Sequence, residues 1–112
     1  MKPINPKQSL KHLKTVTLLG QTLEVKHRKP HKEHHGQCDI EKRTIELNNS
    51  LKGEFALRVL IHELVHGGLR LAGVDYQILE PVEEQICTIM ESVIPDIIDI
   101  VMENGLYGED NQ

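Results

Sequence analysis

Residues 59–68 read VLIHELVHGG, and they pose one question: are His62, Glu63 and His66 parts of a single site? On a helix, positions four apart are neighbours on one face, so His62 and His66 can offer ring nitrogens to one ion. Glu63 lies one step round the same side. It can reach a water on that ion without ligating it, which is the place of a general base in metal-assisted hydrolysis. The chain is rich in histidine and glutamate. Even so, its composition gives only about 0.05 accidental matches to this pattern.

The flanking residues support the metal reading. With His62 at zero and a helical step per residue, Leu57, Ile61, Leu64, Leu71 and Ala72 fall on the opposite side. Phe55, Val59 and Leu69 flank the histidines. A helix apolar nearly all round belongs at the centre of the fold, where unpartnered imidazoles are costly. Two core histidines bonded to backbone or carboxylates explain one histidine better than they explain the triplet. The helix is predicted from about Leu51 to Ala72, capped by Ser50 or Asn49 and stopped at Gly73. Glycine inside a helix costs about 1 kcal/mol against alanine, so Gly67 and Gly68 point to another segment in close approach.

Upstream, TVTLL (residues 15–19), Gly20 and QTLEVKHR (21–28) read as two short strands around a turn. CDIEKRTIELN (38–48) reads as one further strand at an edge, with Ile40, Thr44, Ile45 and Leu47 in partial alternation around a charged centre. Downstream, Pro81 opens a second helix. Pro95 kinks or restarts it. Gly105 stops the last piece. Strands first and helices after give an α+β fold: a small antiparallel or mixed sheet of about three strands, then two or three helical pieces.

The chain has 112 residues, 38% hydrophobic and 27% charged, which suits one soluble domain spanning residues 1–112. With one Phe, two Tyr and no Trp, the core must be aliphatic. The opening MKPINPKQSLKHLK has no apolar signal-peptide region, and no run approaches a membrane span. Cys38 and Cys87 lack a metal-motif spacing, so a cytoplasmic protein with reduced thiols is expected. Residues 1–58 hold twelve Lys/Arg against six Asp/Glu, and residues 59–112 hold one against eleven. Without aromatics to stack bases, the basic half argues poorly for nucleic acid.

Catalytic zinc usually takes three protein ligands. The metzincin continuation fails, because Leu69 and Ala72 stand where it needs Gly and His. The second helix offers Glu80, Glu83 and Glu84. By helical phase, Glu83 lies nearer the stripe formed by Val82, Ile86, Ile89 and Val93 than Glu84 does.

HELVHGG followed by EEQICTIM resembles the gluzincin metallopeptidases in their smallest form: the minigluzincins, the phage-associated ImmA/IrrE-type peptidases and the SprT-like proteases. GQCDIEKRTIELN is similar to the strand those enzymes place before the active-site helix. The resemblance covers roughly residues 36–92. It implies a zincin-like catalytic core and a zinc endopeptidase with one zinc per chain on His62, His66 and Glu84. Glu63 is then the general base on a zinc-bound water. Ile86, Cys87, Thr88 and Met90 match the family's spacing after a ligand Glu84. Glu80 and Glu83 are then an acidic helix start. Thr88 stands where larger gluzincins carry an acid that orients a histidine.

A polypeptide substrate would add as a strand along TIELN. Tyr76, Tyr107 and His27 are candidate donors to an oxyanion. The loop carrying His27, His31, His34, His35 and Cys38 holds a second metal, gates the cleft or is merely solvated. The tail, with Glu109 and Asp110, is long enough to fold back on the metal. The competing reading is a latent or non-catalytic zinc-binding interaction module with a zincin-like fold.

Overall fold

The computed structural model describes residues 9–29, 34–74 and 77–106. Its order is β1 (Thr15–Leu18), β2 (Gln21–Arg28), β3 (Gly36–Asp39), β4 (Thr44–Asn48), α1 (Gly53–Leu71) and α2 (Glu80–Glu103). The class is α+β, with a four-stranded mixed sheet ordered β1-β2-β4-β3. α1 packs on the sheet, mainly on β3, and α2 packs on α1. α1 is therefore the middle of three layers, where its apolar circumference places it. The core is aliphatic, built from Leu23, Val25, Ile45, Leu47, Leu51, Ala56 and Val59 with the Cys38 thiol.

The first hairpin forms as its sequence predicts. Leu19 and Gly20 both take positive φ, 49° and 77°. A two-residue turn of that hand matches the twist of the flanking strands.

The expected third strand is instead a second hairpin, so there are four strands and not three. β3 and β4 pair antiparallel, with Cys38 opposite Ile45 and Asp39 opposite Thr44. The charged centre that broke the alternation is the turn. The Lys42 amide donates to Asp39 Oδ1 at 3.1 Å, the Arg43 amide donates to the Ile40 carbonyl at 3.1 Å, and Arg43 takes φ 56°.

This changes the sheet's edges. β4, which contains TIELN, pairs with β3 on one side and lies parallel to β2 on the other. It has no free edge for a substrate strand. The edges are β1 and β3.

α1 starts later than expected and without a side-chain cap. Its cap position is Lys52, and Gly53 follows at φ 64°. Asn48 holds Ser50 in a turn instead: Asn48 Oδ1 accepts the Ser50 amide at 2.9 Å and the Ser50 hydroxyl at 2.7 Å. The other end behaves as expected. Gly73, at φ 75°, donates its amide to Arg70, and Val74 donates to Leu69, which closes the last turn.

α2 runs unbroken through Pro95, so the expected second and third helices are one. Proline removes only the bond its own amide would give to the Glu91 carbonyl. Ile94, Ile98 and Val101 keep one helical spacing across it. No helix among the described residues is long and apolar enough to cross a membrane.

Candidate metal centre

His62 and His66 face α2 from the middle layer, and α2 answers each ring at both nitrogens. Glu84 spans the pair: Oε2 lies 2.9 Å from His62 Nε2, and Oε1 lies 3.0 Å from His66 Nε2. A contact of that length needs either a proton or a shared cation between nitrogen and oxygen. On the other nitrogens, His62 Nδ1–H donates to Glu91 Oε1 at 2.8 Å, and His66 Nδ1–H donates to Glu83 Oε2 at 2.5 Å. A ring that donates through Nδ1 presents its Nε2 lone pair to a metal.

The donor set suits zinc. Two imidazoles and one carboxylate are a usual catalytic triplet, leaving a position open. His62, His66 and Cys87 also bring one donor atom each within 4.8 Å of one another, and this cluster can hold a metal ion. Cys87 is fully buried. Burial, reinforced by Glu83 and Glu84, pushes its thiol up to about 12, so it must give up a tightly held proton to ligate. The Glu84 carboxylate is 58% exposed and needs no such step.

The two candidate glutamates thus divide the work. Glu83 is the inward residue, its side chain 7% exposed, although Val82, Ile89 and Val93 of the expected apolar stripe are exposed. Its inward position serves to orient His66, with the Arg70 guanidinium at 3.4 Å. It is no mere acidic helix start. Thr88 is exposed and takes no part in holding the rings. Glu91, which sequence reasoning missed, holds His62. The available signal was spacing: Glu83, Cys87 and Glu91 recur every four residues, one stripe on α2.

Glu63 is buried, and its carboxyl is raised above the usual range. Burial is the main cause, His66 and His62 pull it down, and Glu84 adds to the rise. It lines a cavity of about 280 Å³ together with His62, Glu84, Glu91 and the start of β3.

Two glycines let the sheet come this close. A Cβ on Gly67 would lie 3.1 Å from Cys38 Sγ, as the paired glycines suggested, whereas Gly68 has only a 4.0 Å neighbour. Gly36 was not anticipated. A Cβ there would lie 3.1 Å from Glu63 Cγ, from Val59 Cγ1 and from the Glu46 carbonyl. Gly36→Val is therefore expected to cost about 1–3 kcal/mol in urea unfolding, the usual toll of overpacking, and to displace Glu63. Equal stability in the variant would show that the contact yields freely.

Other sequence candidates fall elsewhere. The His27 ring bonds the Leu13 carbonyl at 2.9 Å and does not line the cavity, so it is no oxyanion donor. His34 and His35 do line it. Cys38 is buried under Gly67, its thiol pushed up to about 11 chiefly by burial. His31, Tyr76, Tyr107, Glu109 and Asp110 lie outside the described residues. Comparison with protein-family models, with curated proteins and with solved structures finds no match.

Proposed function

We propose that this chain is a zinc-dependent endopeptidase of the gluzincin type, with His62, His66 and Glu84 as ligands and Glu63 as general base. One observation carries the reading. Glu84 bridges both Nε2 atoms, while separate carboxylates hold both Nδ1 atoms. A chance pair of helical histidines has no reason to be oriented at all four nitrogens.

A zinc ion held by His62, His66 and Glu84 would supply the Lewis acidity to activate a water and polarise the scissile carbonyl. Glu63 takes the proton of the attacking water on its carboxylate and passes it to the departing amine. Its raised affinity for a proton suits a group that must hold one between the two transfers. Glu83 and Glu91 keep the imidazoles in the tautomer the ligands need.

The substrate strand is placed on β3 instead of TIELN. The His35 carbonyl accepts the Asn48 amide at 2.9 Å, so by antiparallel alternation the peptide groups of Gly36 and Cys38 turn away from β4. Arg70 takes the Cys38 carbonyl at 3.2 Å. The peptide group of Gly36 remains as the docking point for an extended polypeptide, directly beside Glu63.

The His62–His66–Cys87 cluster favours the second reading, a closed zinc site in a non-catalytic interaction module. Elemental analysis and cleavage of an unfolded protein separate the two. The peptidase reading expects about one zinc per chain in the wild type, near none in His66→Ala, and cleavage that follows zinc content. Full zinc loading with no cleavage of any unfolded substrate would favour the interaction module.

A further inference from the structure

A tetrahedral adduct carries negative charge, and hydrolysis needs a donor aimed at it besides the metal. The cavity beside Glu63 is poor in such donors. Glu63, Glu84 and Glu91 are acceptors, and Val59 and Phe55 are apolar. His62 is committed at both nitrogens. Among the described lining residues, the remaining side-chain N–H donors are those of His34 and His35.

His35 is the one that adjoins Gly36 and the general base. Its carbonyl is pinned to the Asn48 amide, and its ring meets Phe55 edge to face, with centroids 5.0 Å apart at 82°. It immediately precedes Gly36, which touches Glu63. The pinned backbone and the Phe55 contact keep the exposed imidazole at the cavity that holds the general base.

We propose that His35 is the substrate-side donor of this site, its ring N–H stabilising the oxyanion that develops on the scissile carbonyl. The inference rests on the peptidase reading above. It gives the histidine-rich loop a role in the chemistry of the site that includes Glu63.

The test uses the zinc-loaded chain, cleavage of an unfolded protein, and an alanine-based phosphinic peptide whose tetrahedral anion imitates the adduct. In His35→Ala, zinc content should stay at the wild-type level. kcat should fall about 10²–10³-fold with KM little changed, the usual cost of one oxyanion donor. Binding of the phosphinic peptide should weaken at least tenfold, and His35→Gln, which keeps an N–H, should recover part of both. Phe55→Ala, which removes only the packing partner, should lose much less. If His35→Ala matches the wild type in kcat and phosphinate binding, or if Phe55→Ala reproduces its defect in full, His35 only packs and the proposal falls. That outcome would leave wild-type cleavage, and its loss in Glu63→Gln, intact. A zinc-loaded wild type that neither cleaves nor binds the phosphinic peptide would instead overturn the peptidase reading, and this inference with it.

Discussion

Glu63→Gln is expected to abolish cleavage of unfolded protein while leaving zinc content at the wild-type level. Glutamine keeps the shape of the side chain and its contact with Gly36, but cannot take the proton of the attacking water. General-base catalysis is worth about 10²–10⁴-fold, and the loss in kcat should fall in that range. The same change should stabilise the metal-free fold. Burial raises the Glu63 carboxyl, so the folded chain holds its proton more tightly than the unfolded chain does. The resulting penalty is absent below the unfolded pKa. It grows as pH rises toward the folded value and is full above it. Urea unfolding without metal should therefore show the Glu63→Gln variant more stable than wild type at neutral pH, with the gap closing in acid. A variant that kept its activity would remove Glu63 from the mechanism, and a gap independent of pH would remove burial as the cause of the shift.

Glu84→Ala should be the most damaging change for metal affinity. It removes the group that meets both Nε2 atoms. Glu83→Ala leaves the three proposed ligands in place but frees His66 Nδ1 and loosens Arg70. Its loss should stay near the roughly 10–100-fold typical of an orienting partner, and Glu84→Ala should exceed it. Competition against a zinc chelator ranks the two. A larger loss in Glu83→Ala would make the inward glutamate the ligand. A larger loss in Cys87→Ser than in either would give that place to the thiol.

Much of this was legible in the sequence because it depends on local spacing. The pairing of His62 with His66 follows from helical geometry alone, and Gly20, Gly73 and Gly105 mark turns whose φ only glycine takes easily. The second hairpin was hidden because its turn, Glu41 to Arg43, is charged and contains no glycine or proline. The turn is made by the Asp39 side chain, which composition does not advertise. Gly36 and Glu91 were hidden for another reason. Their roles depend on which elements meet, and that is fixed only once β3 lies against α1 and α2 lies across it. Glu83 does point inward, but the stripe it was ranked against does not: Val82, Ile89 and Val93 are exposed, and the buried face carries Glu83 and Cys87. Helical phase could not show that the exposed Glu84, at the rim, reaches both rings at once.

Among the described residues, every proposed ligand and every carboxylate that holds one lies between His62 and Glu91, on two consecutive helices. The sheet supplies the proposed docking edge and a glycine-sized clearance, but none of the proposed ligands. On the proposed reading, metal binding and substrate docking are thus carried by separate parts of the chain. An engineer could recode the outer face of β3 to accept other sequences without disturbing the metal, or transplant the helical pair as a cassette beneath a different sheet. The positions such a graft would have to copy from the sheet side are Gly36 and, on the inference above, His35.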